Sequence, residues 1–207
     1  LNTWALHWII NYKLNWGEQI DSLASKLNSA LYQLRKLVNY CTLEGSITFC
    51  FSNFNSLINY GVILWGNSTY AIRIFRIQKK AIRILANISD QRVHCKPLFK
   101  KFGILPLPCL YIYSVLIYGY ENSTIFQKNS DFHDYNTRNR DKFITPHYRL
   151  QKSQKCLKFD AIKLLNVLPP HFKTLNTKNF KREIKKLLKT ECFYSTKEFI
   201  TSFNVLL

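Results

Sequence analysis

Methionine is absent from the 207-residue chain, and acidic residues are scarce, with 12 Asp+Glu against 30 Lys+Arg. Without a methionine there is no initiator, and no charged-then-apolar leader opens the chain at Leu1. A fragment of a longer polyprotein is therefore expected. Glycine and proline, at 6 each, are too few for a loop-rich or collagen-like chain. No apolar run approaches the ~20 residues that span a bilayer. The longest, Cys109 to Tyr120, contains Ser114 and Gly119 and reads as a buried helix. The 6 cysteines are scattered, with no C-x-x-C and no zinc-ligand spacing. Most have apolar neighbours, so a reducing, intracellular setting is expected. The N-x-[ST] triplets at Asn67, Asn87 and Asn122 are the chance yield of an asparagine-rich chain.

Catalytic groupings are also missing. Templated polymerisation needs carboxylates clustered around two metal ions. Here no two acidic residues adjoin, and Asp21, Asp90, Asp131, Asp134, Asp141 and Asp160 are dispersed. There is no P-loop, no G-x-S-x-G and no G-x-G-x-x-G. The densest polar string, Asp131-Phe132-His133-Asp134, reads as a solvated loop, and His94-Cys95 and His147 stand alone. No catalytic residue, metal ligand or cofactor is expected within this chain.

What is present is material for a helical core, with 47% hydrophobic and 15% aromatic residues. Trp4 to Ile10 is rich in β-formers and suits a short N-terminal strand. From Glu18 the period becomes helical. Ile20, Leu23, Ala24, Leu27, Leu31, Leu34 and Val38 share a stripe about 100° wide. Glu18 and Asp21 at one end, and Arg35 and Lys36 at the other, suit the helix dipole. Thr42 can cap a second helix, with Ile47, Phe51, Phe54 and Ile58 as its apolar face. A third helix, from Ser68 or Thr69 to about Ile88, would bury Ile74, Ile77, Ala81, Ile84, Leu85 and Ile88. Short connections make an antiparallel bundle of three helices the natural packing. A soft boundary near residues 90 to 95 precedes a smaller helical region. This has helices at about 97–102, 108–120, 153–167 and 177–190, and a long loop or arm over 121–150. The last helix carries an apolar stripe of Phe180, Ile184, Leu187 and Leu188. The chain is thus read as mostly α.

A formal net charge of +18 makes a polyanion the expected partner. Between Gly45 and Ser89 there is no acidic residue, yet Arg73, Arg76, Lys79, Lys80 and Arg83 all fall in the third helix. Arg73, Arg76, Lys80 and Arg83 recur at spacings of 3, 4 and 3, which places them on one flank. Such a ridge suits phosphate tracking, because guanidinium groups fork onto phosphate oxygens and released counterions supply affinity. An ordinary solvated face has the same pattern. The arm adds Arg138, Arg140, Lys142, Arg149, Lys152, Lys155 and Lys158, opposed only by Asp134 and Asp141. Tyr135, Phe143 and Tyr148 interleave with them, either to stack on bases or to anchor the arm. Lys178, Lys181, Arg182, Lys185, Lys186 and Lys189 lie opposite the apolar stripe of the last helix. That pattern fits nucleic acid, an anionic membrane surface or plain solvent.

Several strings combine into a family pattern. Tyr12-Lys13-Leu14-Asn15-Trp16, Leu31-Tyr32-Gln33-Leu34-Arg35-Lys36-Leu37, Tyr60-Gly61-Val62-Ile63-Leu64-Trp65-Gly66 and Ile77-Gln78-Lys79-Lys80-Ala81-Ile82-Arg83-Ile84 occur in order. His133-Asp134-Tyr135-Asn136-Thr137-Arg138 follows, then Asn166-Val167-Leu168-Pro169 and Asn179-Phe180-Lys181. Together they resemble the carboxy-terminal region of jockey-like non-LTR retrotransposon reverse transcriptases. One departure is that Leu6-His7-Trp8 and Asn11 stand where the family has Leu-Gly-x-x-x-Asp, as in a decayed copy or a divergent element. The resemblance implies a remnant of the polymerase core edge over 1–16, a thumb-like bundle over 17–90 and a connector over 91–207. It implies RNA and DNA, as template–primer duplex, for partners, together with the palm and fingers of the same polyprotein. The parent activity would be RNA-directed DNA polymerase, using Mg2+ on aspartates outside this chain, in the nucleus and cytoplasm. The rival expectations are a stand-alone basic helical RNA- or DNA-binding module, or a protein-interaction or membrane-surface domain.

Overall fold

The computed structural model describes residues 15–132, 135, 139–149 and 156–204. The expected strand at Trp4 to Ile10 lies outside them. The described chain is predominantly α-helical and contains no β-sheet; its single β-bridge pairs Lys128 with Phe143. It divides into two compact units between Leu107 and Pro108.

In the first unit, α1 (Gly17–Leu37) buries Ile20, Leu23, Ala24, Leu27, Leu31 and Leu34, as the stripe predicts. Helix α2 (Leu43–Phe49) begins at Thr42, whose hydroxyl accepts from the Gly45 N–H at 3.2 Å. It continues into a π-helical segment, Cys50–Asn55, and then α3 (Ser56–Asn59). The π turn inserts one residue into the helical count and rotates the face behind it. Phe51, expected in the core, is therefore 42% exposed, while Cys50, Phe54 and Ile58 point inward. Gly61 adopts a left-handed conformation before the single turn α4 (Val62–Trp65). That turn buries Val62 and Trp65, and the Trp65 Nε1–H donates to the Tyr60 carbonyl.

Helix α5 (Ala71–Leu85) packs along α1. Arg73, near its start, meets Asp21 near the start of α1, and Lys80 and Arg83 share a hollow with Arg35 and Val38 at the far ends. The two helices are thus parallel, as the first and third members of an up-down-up bundle must be. Beyond α5, the Ile88 N–H donates to the Arg83 carbonyl and the Asn87 N–H to the Ile84 carbonyl. Asn87 has φ 51°. This is a Schellman stop, with asparagine in the left-handed place that usually goes to glycine. The chain turns there, so Ile84 and Ile88 are half-buried rather than core residues, and Phe75 and Ile82 are buried instead.

Helix α6 (Lys96–Phe102) ends in a second Schellman turn at Gly103, with φ 64°. Gln78 then fastens the following residues to α5. Its Nε2 donates to the Leu105 carbonyl (2.9 Å), and its Oε1 accepts from the Leu107 N–H (2.8 Å). A buried amide with both ends bonded is compatible with a dry core. Residues 91–107 therefore belong to the first unit, although composition changes near residue 90.

The second unit is built on α7 (Leu107–Glu121), apolar on nearly every side, as a buried helix must be. The unit also contains α8 (Leu157–Val167), α9 (Pro170–Lys173), α10 (Thr177–Glu191) and α11 (Thr196–Asn204). Asn176 caps α10 through the Asn179 N–H (2.8 Å). Phe180, Ile184 and Leu188 face inward, with Phe180 stacked on Tyr120 at 4.0 Å between ring centroids. Between α7 and α8 the expected arm folds back on itself. Asn129 N–H donates to the Lys142 carbonyl, Ser130 N–H to the Arg140 carbonyl and Ile144 N–H to the Gln127 carbonyl. No single described helix is long and apolar enough to cross a membrane.

Candidate nucleic-acid interface

Helix α5 has two sides because its buried apolar residues and its arginines keep separate helical registers. Ala71, Ile74, Phe75, Gln78, Ala81, Ile82 and Leu85 are buried, while Arg73, Arg76 and Lys80 are exposed. The ridge expected from the 3-4-3 spacing therefore exists, but its members are not equivalent. Arg73 donates through Nη1 to Asp21 Oδ1 on α1, with both side chains more than half exposed. An exposed pair like this contributes about 0–1 kcal/mol, but it neutralises one cation of the ridge.

Lys79 leans on the core instead of the solvent, with its ammonium 4.3 Å from the centre of the Phe75 ring. Burial holds its pKa below the ordinary lysine value; the Cys95 thiol opposes this, and Arg83 and Arg76 add to it. Arg76, Lys79 and Arg83 thus share one positive field. Burial likewise raises the Cys95 thiol, against the pull of Arg83 and Lys79.

Arg83 is half-buried. Its Nη2 donates to the Val93 carbonyl (3.2 Å), which fixes the guanidinium, while its Nε–H is buried without a hydrogen-bond partner. Beside it the ends of α1 and α5 enclose an open hollow of about 330 Å³. Arg35, Lys80 and Arg83 supply its charge, Asn39, Asn87, Ser89 and Gln91 its neutral polar groups, and Val38, Ile84 and Ile88 its apolar wall. Among the described residues no carboxylate lines it. Asp90 is next in sequence to two lining residues, but its Oδ1 accepts from the Arg92 N–H (2.8 Å).

Two C-terminal helix ends converge there, each worth about half a negative charge. Roughly one negative charge therefore meets three formal positives, and the hollow stays cationic. Arg35 belongs to this grouping, although the periodicity of α1 marks it only as a dipole-compensating residue. The up-down-up order, which brings like ends of the first and third helices together, is the signal that would have found it.

The arm's cations fall in the second unit. Arg138, with Thr137, lies outside the described residues. Arg140 is half-buried, and its carbonyl holds Ser130. Lys128, Lys142 and Lys173 cluster around the folded-back arm. Burial pushes the Lys173 pKa down; Asp141 raises it, and Lys128 and Lys142 lower it further. Of the interleaved aromatics, Phe143 is buried against Phe126 and cannot stack on a base. Tyr148 packs on Phe159 (6.0 Å between centroids), whereas Tyr135 is 78% exposed. On α10, Lys181 pairs with Glu121 (2.7 Å) and Arg182 with Glu183 (3.3 Å). Lys178, Lys185 and Lys186 of the same helix are exposed.

Among the described residues no group of three His, Cys, Asp or Glu side chains is placed to hold a metal ion. No protein-family model, curated protein or solved structure matches the chain.

Proposed function

We propose that this chain is a non-catalytic nucleic-acid grip, the thumb and downstream connector of a non-LTR retrotransposon reverse transcriptase. One observation carries the gripping role. Arg35, Arg76, Lys80 and Arg83 stand on the α1–α5 face with no ion-pair partner among the described residues. Cations with no counter-charge among the described residues are completed by an external polyanion, and a sugar–phosphate backbone provides charges at regular intervals. The assignment to reverse transcriptases rests on the ordered strings from Tyr12 to Lys181. In that parent, polymer chemistry belongs to metal-bound aspartates elsewhere, and this chain positions the duplex.

The test is anisotropy titration of the purified chain with DNA duplex and RNA–DNA hybrid over a range of salt. Affinity should fall steeply with salt and depend little on sequence. Arg76→Ala with Lys80→Ala should flatten the log–log slope by up to about 0.9 for each phosphate that is no longer neutralised. Absence of binding at low salt, or an unchanged slope in the double variant, would remove α5 from the binding surface. Coding sequence upstream that carries a Tyr-x-Asp-Asp polymerase motif would support the parent assignment. No primer extension by the chain alone is expected.

A further inference from the structure

We infer that the hollow between the ends of α1 and α5 is a seat for one unpaired nucleotide of the bound strand. Its phosphate lies against Arg35, Lys80 and Arg83, and its sugar and base lie against Val38, Ile84 and Ile88. This deepens the gripping role proposed above and rests on it.

Three features distinguish the hollow from the rest of the ridge. The first is concavity. Its volume of about 330 Å³ is at the low end of the roughly 300–1,000 Å³ typical of small-ligand pockets. An ordinary duplex-tracking face is convex and needs no such recess. The second is mixed chemistry. A bare anion needs only the cations, but the hollow also presents isoleucine and valine surface. Ile84 and Ile88 are left half-buried there because the Schellman turn at Asn87 redirects the chain. A nucleoside supplies the apolar faces that would cover them. The third is preorganisation. Arg83 is fixed by the Val93 carbonyl before any ligand arrives, so little side-chain freedom remains to be given up on binding.

Asn39, Asn87 and Gln91 at the rim carry amides that both donate and accept, the groups that bond to exposed base edges. In a duplex those edges are paired and stacked, and a base held in the stack does not reach a recess. The occupant is therefore an overhanging or splayed nucleotide. A free mononucleotide shares the chemistry but lacks the neighbouring phosphates that the exposed Arg76 would hold.

The 207-residue chain is titrated with a blunt duplex, the same duplex with a short single-stranded overhang, adenosine monophosphate and inorganic phosphate. The Arg35→Gln, Lys80→Gln variant is tested in parallel, with circular dichroism to establish that it is folded. The overhang should improve affinity by about tenfold over the blunt duplex, the gain expected from one set of charge-assisted hydrogen bonds. The double variant should lose that preference, and phosphate alone should bind no better to wild type than to the variant. Equal affinity for blunt and overhanging duplex overturns the seat while leaving the grip standing. So does an overhang preference that survives in the variant. Tight binding of the mononucleotide, abolished in the variant, would reassign the hollow to a free nucleotide. Failure of both duplexes to bind removes the grip and the seat together.

Discussion

Asn166 holds the backbone of Phe143 from both sides. Its Oδ1 accepts from the Phe143 N–H (2.9 Å), and its Nδ2 donates to the Phe143 carbonyl (2.7 Å). The amide acts as a one-residue strand partner on one edge of the folded-back arm, while Lys128 bridges Phe143 on another. Asn166→Ala leaves a backbone donor and acceptor of a buried residue unpaired, at about 1–3 kcal/mol. Hydrogen exchange at the Phe143 amide should accelerate, and urea should unfold the chain at a lower concentration. Asn166→Asp should be worse, because it removes the donor to the carbonyl and places a charge there. Unchanged protection of Phe143 in Asn166→Ala would show that the arm is held by other interactions.

How far the fold is legible in the sequence depends on how much chain repeats the same signal. Helices α1, α5 and α10 can be read because each supplies several turns of one stripe. The π segment cannot, since one extra residue shifts the register without leaving a period of its own. For that reason the periodicity places Phe51 in the core. The arm gives no alternation because its pairing is a single bridge, completed by a side chain 23 residues away. Helix α11 does carry a local mark. Ser195-x-x-Glu198 has capping-box spacing, and the Ser195 hydroxyl accepts from the Glu198 N–H (3.0 Å). The basic ridge is visible by spacing alone, but which cations remain unpaired depends on α1. Asp21 takes Arg73, and Arg35 joins Lys80 and Arg83 only when two helices lie parallel.

The Asp21–Arg73 pair gives a test of whether the ridge is used in full. Asp21→Asn removes a carboxylate that is largely exposed, so its effect on stability should stay below about 1 kcal/mol. If the ridge meets a nucleic-acid backbone, freeing Arg73 should tighten duplex binding and steepen the salt slope by up to about 0.9. Salt-dependent anisotropy of Asp21→Asn beside wild type measures both. Weaker binding in the variant would mean that the pair itself orients the ridge.

Cys50 sits at the start of the π segment, and burial pushes its thiol from 9.0 up to about 12. The unfolded chain ionises this group near its ordinary value and the folded chain does not. Folded protein therefore retains more protons between those two values, and stability falls as pH rises through that window. Below it the thiol is neutral in both states and contributes no slope. Denaturation midpoints for wild type and Cys50→Ala should run in parallel at neutral pH. They should converge in strongly alkaline buffer, because only wild type carries this destabilising ionisation. At neutral pH a thiol reagent should label the exposed Cys41 well before Cys50.

Gly119 marks a close approach of α8 to α7. A Cβ at that position would lie 2.9 Å from Leu165 Cδ1 and 3.1 Å from the Ala161 Cβ. The leucine methyl can rotate away, but the alanine carbon is fixed to its backbone, so relief requires the helices to separate. Two effects then compete in Gly119→Ala. Helix propensity favours alanine over glycine by about 1 kcal/mol, whereas overpacking a buried site costs about 1–3 kcal/mol. The net change should be destabilising, and Gly119→Val should exceed it, because a branched side chain adds bulk in the same narrow space. Ala161→Gly should be harmful alone yet partly restore Gly119→Ala, since it removes the atom that the new methyl meets. Urea denaturation of the two single variants and the double variant gives the coupling energy, expected to exceed about 0.5 kcal/mol for touching residues. A Gly119→Ala variant more stable than wild type would mean that propensity alone operates there and that the two helices are not closely packed at this point.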